Sequence, residues 1–357
     1  MPVLALNALV VVAALVWPAR VLPFALAALA ATVVVGILSR GSKTAKPRPI
    51  SVAPASPGDP VASYELRKLL ATGGMGEVWL ARHRTLGRDV ALKRIKSGDI
   101  DDEDVKRFER EARVLSTLTS PHTVEVFDFG ATADGGLFYA MELLDGIDLQ
   151  TAIKEHGPIP PERVVYLLAQ ACASLKEAHD QGLVHRDIKP ANFMICRYGG
   201  EFDFLKVLDF GLVKKPVGPS GDAGITRPAA VLGTAAYLAP ESVKGSKFVD
   251  GRADLYALGA IGFWLLTGRL VFEHDRAMAM INAHITEPPP PSSEHSKFAI
   301  PPDLDELLLA CLAKDPKDRP ADAGTLRRRL EQIPFAERWD QDRAALWWRS
   351  LPPRHFA

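Results

Sequence analysis

Tyr64-Glu65-Leu66-Arg67-Lys68-Leu69-Leu70 runs into Ala71-Thr72-Gly73-Gly74-Met75-Gly76-Glu77, and Val78-Trp79-Leu80-Ala81-Arg82 follows. The outer stretches read as strands and the middle one as a glycine-rich turn between them. Lacking Cβ atoms, such a turn lets backbone N–H groups approach phosphate oxygens. No Gly-Lys-Ser/Thr follows and no helix opens there, which excludes a Walker A loop. An ordinary glycine hairpin gives the same pattern, so the neighbouring segments must decide.

Downstream, Asp89-Val90-Ala91-Leu92-Lys93-Arg94-Ile95 is another β-rich run. Lysines on strands usually face water, but Lys93 lies one strand beyond a phosphate-type turn. From Asp102 to Leu118 the spacing turns helical, with Val105, Phe108, Ala112 and Leu115 on one side. Glu109 and Glu111 on this helix are candidate partners for Lys93, or simply solvated surface.

The whole chain has 357 residues, too many for one typical domain. Its 47% hydrophobic and 24% charged composition supports a packed core and excludes wholesale disorder. Lys+Arg and Asp+Glu balance at 43 each, which removes the electrostatic case for a nucleic-acid binder. Cys172, Cys196 and Cys311 are odd in number and far apart, arguing against a disulfide scaffold or zinc site and for buried apolar positions.

Upstream the character changes. Residues 1–39 carry a single charged side chain, Arg20. Val21–Leu38 is an uncharged run that would span about 27 Å as a helix, enough to cross a bilayer core. Val3–Trp17 is a shorter apolar run, and Trp17-Pro18-Ala19-Arg20 between them suits a turn at the membrane surface. The expectation is a transmembrane hairpin within 1–39, or else a single span, Val21–Leu38. A cleaved signal peptide fits less well, because a basic n-region is missing and the apolar stretch is too long. Arg40, Lys43, Lys46 and Arg48 then place the rest of the chain on the cytoplasmic side. Residues 40–63, rich in Pro, Ala and Ser, read as a juxtamembrane linker.

His185-Arg186-Asp187-Ile188-Lys189-Pro190-Ala191-Asn192, Asp209-Phe210-Gly211 and Ala239-Pro240-Glu241 complete the picture. With the glycine turn and Lys93 they make five motifs in order. The chain thereby resembles the eukaryotic-like protein kinases, and more closely the bacterial membrane-anchored Ser/Thr kinases. The resemblance spans residues 64–330 and implies an α+β, two-lobed fold, with a β-rich small lobe (64–144) and a helical large lobe (145–330).

It also implies roles. Lys93 would grip the α- and β-phosphates of ATP, steered by Glu111, since Arg110-Glu111-Ala112 matches the family's motif. Asp187 would accept or orient the substrate hydroxyl's proton, and Lys189, the Ser/Thr-kinase pattern, would stabilise the moving phosphoryl group. Asn192 and Asp209 would hold Mg²⁺. His185 would be structural. Ala71, Thr72, Gly73, Gly74, Met75 and Gly76 would cover the phosphates. Val78, Ala91 and Met141 would enclose the adenine, with the backbone of Glu142 and Leu144 bonding it. The family's loop is G-x-G-x-x-G, and Ala71 replaces its first glycine. That replacement would cost up to about 1 kcal/mol if the backbone there needs a glycine-only conformation, and it leaves a nucleotide-binding pseudokinase scaffold as the rival. A small-molecule phosphotransferase is disfavoured by Ala239-Pro240-Glu241 and the long stretch before it.

Regulation follows the same logic. Arg186 would receive a phosphorylated activation segment, with Thr226 as the autophosphorylation site and Thr234 contacting the catalytic loop; a homodimer would serve trans-autophosphorylation. Asp254 would brace the catalytic loop and Arg319 pair with Glu241. Expected partners are protein Ser/Thr substrates and the bacterial inner membrane, with no nucleic acid. Beyond Leu330, the extension 331–357 carries Trp339, Trp347 and Trp348, spaced to lie roughly on one helix face. Packing back onto the large lobe is expected for them; a partner surface or the membrane interface is the alternative.

Overall fold

A six-stranded antiparallel sheet comes first, in order β1-β2-β3-β4-β6-β5. Its strands are β1 (Pro60–Val61), β2 (Tyr64–Gly73), β3 (Gly76–His83), β4 (Asp89–Ile95), β5 (Val126–Ala131) and β6 (Leu137–Met141), with helix α1 (Asp102–Leu115) between β4 and β5. The computed structural model describes residues 60–73, 76–95, 102–132, 135–210, 233, 235–243 and 249–351. The expected spans in 1–39, most of the linker, and Gly74, Met75, Thr226 and Thr234 lie outside the described residues. Among the described residues no helix is long and apolar enough to cross a membrane.

The glycine turn joins β2 to β3, with Gly73 opposite Gly76. Gly76 has φ +155°, and a Cβ there would stand 2.0 Å from the Arg94 carbonyl oxygen of β4. Packing between neighbouring strands therefore demands this glycine, whatever the turn binds. Ala71 pairs with Val78 and is not among the described non-glycine residues with positive φ, which are Ala62, Arg186, Asp203 and Asp209. The backbone penalty expected for Ala71 does not arise.

Strand alternation gives the sheet two faces. Val90 and Leu92 of β4 join Tyr64, Leu66, Trp79 and Phe138 in one cluster. Ala91 and Ile95 turn the other way, against Phe108, Ala112 and Leu115 of α1. Lys93 shares that inner side, so the strand's period aims its ammonium into the molecule. Val105 is half-buried.

The rest is mostly helical: β7 (Gly146–Asp148), α2 (Leu149–His156), α3 (Pro161–Asp180), a 3-10 turn (Pro190–Asn192), β8 (Phe193–Tyr198), β9 (Glu201–Val207), α4 (Pro240–Val243), α5 (Arg252–Thr267), α6 (Ala277–Thr286), α7 (Pro302–Cys311), α8 (Ala323–Gln332) and α9 (Gln341–Ser350). β7, β8 and β9 form a second antiparallel sheet in that order. α5 is apolar nearly all round because it is buried nearly all round. Leu255, Leu258, Ile261, Phe263 and Leu265 are at most 2% exposed, each contributing about 1.5–3 kcal/mol of burial. α7 packs so close that a Cβ on Gly259 would lie 2.6 Å from that of Cys311. All three cysteines are free and buried.

Candidate active site

Four elements converge between the sheet and the helices. β4 brings Lys93, the loop before the 3-10 turn brings Asp187 and Lys189, the turn itself brings Asn192, and the segment after β9 brings Asp209. Lys93 Nζ donates to Asp209 Oδ2 at 2.6 Å. Lys189 Nζ donates to Asp187 Oδ2 at 2.9 Å. Asn192 Nδ2 donates to the Asp187 carbonyl at 2.8 Å and reaches its Oδ2 at 3.3 Å. The Leu208 N–H donates to the Asn192 carbonyl at 2.8 Å, stitching the two loops together.

Asp187 stands on a braced frame. Asp254 of α5, 2% exposed, accepts the His185 N–H at 2.8 Å and the Arg186 N–H at 3.0 Å. His179 approaches the same carboxylate at 2.8 Å. Such bracing sustains Arg186 at φ +61°, a left-handed conformation costing about 1–3 kcal/mol in a non-glycine residue. His185 is fully buried, with Nε2 2.8 Å from the Leu208 carbonyl and Nδ1 accepting the Asp187 N–H at 3.3 Å. Burial pushes its pKa below the ordinary value, against the pull of Asp254 and Asp187. Both ring nitrogens are spent on backbone groups, which makes His185 a spacer and not a base.

Asp209, at φ +52°, is the electrostatic centre of the cleft. Burial works to raise its pKa, but the Lys93 ammonium and the hydrogen bonds from Lys93 and Tyr139 outweigh it, and the carboxyl titrates below its usual range. Tyr139 of β6 donates its hydroxyl to Asp209 Oδ1, while burial and the facing carboxylate hold that phenol well above its ordinary pKa. No motif in the sequence marks Tyr139 as a site residue. The available signal was its position: it pairs across the sheet with Lys93 and so faces the same side.

Glu111 departs from expectation. No ion pair joins it to Lys93, whose carboxylate partner is Asp209. Glu111 is half-buried, and burial raises its pKa against the opposing field of Arg186, Arg107 and Arg110. Glu109 is exposed. The carboxylate that holds Lys93 is that of Asp209, at 2.6 Å.

The segment linking the lobes is anchored from below. Met141 lies opposite Ala91 and Val126. Glu142 accepts from Lys206 Nζ at 2.6 Å and from the Glu125 N–H at 2.9 Å, and its own N–H donates to the Glu125 carbonyl. The Leu144 N–H makes no hydrogen bond among the described residues. Val78 is half-buried beside this core. Below the cleft, Arg319 grips Glu241 with two bonds of 2.6 and 2.8 Å.

These donors are hard oxygens. With Asn192 Nδ2 committed to Asp187, its Oδ1 is left over, and Asp209 supplies a carboxylate. So few protein oxygens suit Mg²⁺, which takes its remaining ligands from water and phosphates.

A sheet lobe over a helical lobe, with a lysine, two aspartates and an asparagine gathered between them, is the architecture of a protein kinase. The protein kinase domain model matches residues 64–330, and the chain belongs to that family. Over 272 residues it is 40% identical to serine/threonine-protein kinase pkn3 of Myxococcus xanthus, covering 76% of this chain and 50% of that protein. It is likewise 40% identical over 275 residues to serine/threonine-protein kinase PknB of Mycolicibacterium smegmatis, covering 76% and 43%. The crystal structure of the Mycobacterium tuberculosis PknI kinase domain superposes with a TM-score of 0.62 at 28% identity, over 79% of this chain and all of that one. The chain spans half or less of the length of these curated relatives.

Proposed function

We propose that the chain transfers the γ-phosphate of ATP to serine or threonine hydroxyls of proteins. The observation that carries this reading is the Lys93–Asp209 contact: residues 116 apart in sequence meet in the same cleft as Asp187 and Asn192. Phosphoryl transfer asks the protein chiefly for positioning and charge neutralisation. Asp187, its backbone N–H fixed by His185, would orient the attacking hydroxyl and take its proton. Lys189, already on Asp187 Oδ2, would follow the charge onto the transferring group. Lys93 would turn to the α- and β-phosphates. Asn192 Oδ1 and Asp209 would hold Mg²⁺, which would supply positive charge against the phosphates. The adenine would lie between Ala91, Val78 and Met141 and bond the Leu144 N–H.

Engagement requires an exchange of partners. With Lys93 on Asp209 and Glu111 apart, the resting cleft holds its acid and its cation against each other. We infer that nucleotide entry releases Lys93 and frees it to meet Glu111. Arg186, whose field reaches Glu111, would couple that step to phosphate on Thr226 of the activation segment.

The apolar residues 1–39 and the cationic stretch after them support tethering to the bacterial inner membrane with the kinase domain on the cytoplasmic side. Lateral encounter of two tethered copies would then favour trans-autophosphorylation. The test is to incubate the full chain with Mg²⁺ and ATP and map phosphate by mass spectrometry. Phosphoserine or phosphothreonine on the chain and on an added protein substrate, absent in Asp187→Ala, is the expected result. Nucleotide binding without any transferred phosphate would instead make the chain a scaffold.

A further inference from the structure

The family model stops at residue 330, yet the chain continues into α9, and its contacts converge on one side chain. Asp203 of β9 is completely buried, as is Arg163 of α3 at 1% exposure. Arg163 Nε and a terminal guanidinium nitrogen each donate to Asp203 at 2.8 Å. Trp339 Nε1 donates to the same carboxylate at 2.9 Å and Trp348 Nε1 at 2.8 Å. The Arg163 guanidinium also lies 3.8 Å from the Trp347 ring centroid and 4.9 Å from that of Trp339. The indole N–H groups of Trp339 and Trp348 are thereby committed inside the molecule, which removes these two from a role at the membrane interface.

The adjoining backbone is held the same way. β9 is an edge strand, and edge strands carry unpaired N–H and C=O groups. Gln341 of α9 supplies the missing neighbour: its Oε1 accepts the Phe202 N–H at 2.8 Å and its Nε2 donates to the Phe202 carbonyl at 3.2 Å. Gln170 of α3 does likewise for Leu205 N–H and the Asp203 carbonyl, at 2.9 and 3.1 Å. Arg343 ties α9 to Glu162 at 2.5 Å.

What the strand carries gives these contacts their meaning. β8 starts directly after Asn192, and β9 ends two residues before Asp209. The β8–β9 hairpin is therefore the covalent bridge between the two side chains assigned above to Mg²⁺. We propose that residues 335–350 form a strap that positions this hairpin, and through it the spacing of Asn192 and Asp209, with Trp339, Gln341 and Trp348 as positioning residues. The proposal rests on the reading of Asn192 and Asp209 as metal-holding groups.

The test uses the full chain carrying Trp339→Phe together with Trp348→Phe, which keeps an aromatic ring at each position and deletes both donors to Asp203. Gln341→Ala serves as a second, milder variant that leaves the buried ion pair and its indoles in place. Amide hydrogen exchange without nucleotide should rise roughly tenfold at residues 201–207, as expected when bonds to a buried charge are lost, and stay unchanged in α5. By calorimetry, the Mg²⁺ concentration needed for half-maximal ATP binding should rise about threefold, less than the tenfold typical for losing a direct partner of a metal ligand. Exchange rising evenly across the lobe would overturn the strap, as would a loosened hairpin with an unchanged Mg²⁺ requirement. Because the readout is binding, a chain that binds nucleotide but transfers no phosphate would sink the proposed activity while leaving this result decisive.

Discussion

Asp203 and Asp209 stand six residues apart on one segment, both at φ +52° and both paired with a distant cation, and they have opposite characters. Asp203 takes its donors from Arg163, Trp339 and Trp348 and is sealed from water. Asp209 has Lys93 and Tyr139, with 25% of its side chain exposed to the cleft. A saturated buried carboxylate has nothing left to exchange and can only hold structure. A carboxylate held by a flexible ammonium and one hydroxyl can trade those donors for a metal ion or a substrate. The same residue type, six residues apart along the chain, is fixed at the back of the lobe and available at the front.

Breaking the front should cost most in activity. Asp209→Asn is expected to lower phosphoryl transfer roughly a thousandfold or more in a labelled-ATP assay, while stability shifts by only about 1 kcal/mol because the pair is partly solvated. Breaking the back should do the reverse. Asp203→Asn leaves a buried guanidinium without its charge partner and should cost about 3–5 kcal/mol in urea unfolding, with far less change in rate per folded molecule. Equal losses of rate in the two variants would erase the distinction.

How far the sequence foretold this differs between the two aspartates. The front was legible: Lys93 lies one strand beyond a glycine-rich turn, helical spacing puts Phe108, Ala112 and Leu115 on one side, and a run of short motifs marks the loops. Those signals are local, set by backbone geometry within a few residues. The back was not, because Arg163 and Asp203 are 40 residues apart and charged residues are ordinarily read as surface. The three tryptophans were expected to pack on the lobe, but nothing local said on what. Tyr139 and Glu111 fall between these cases. Their positions were readable, but which of two acids holds Lys93 is a three-dimensional contest that spacing does not decide.

A smaller effect sharpens the comparison from outside both sites. His284 is fully buried beside the Tyr256 hydroxyl, 2.8 Å from its Nδ1. Burial, helped by the Lys314 charge, lowers its pKa to about 4 from 6.5. A base with a depressed folded pKa binds its proton more readily when unfolded, so stability is complete above pH 6.5 and drains as pH falls toward 4. The loss should reach up to about 3 kcal/mol in unfolding curves taken across that window. His284→Gln should flatten the slope, and an unchanged slope would assign it to other groups.

Smallest of all is Ala71→Gly. Since Ala71 already lies in ordinary strand conformation, restoring glycine should cost about 0.5–1 kcal/mol of stability and change the KM for ATP by less than about twofold, read from initial rates. A large gain in affinity would show that the loop is strained after all.

The account turns on a lysine, two aspartates and an asparagine forming one nucleotide site. Calorimetric titration of ATP into the full chain, with and without Mg²⁺, beside Asp209→Asn, tests this most directly. Binding that tightens with Mg²⁺ in the natural chain and loses its Mg²⁺ dependence in the variant is the predicted result. Affinity that ignores both the metal and the substitution would contradict it.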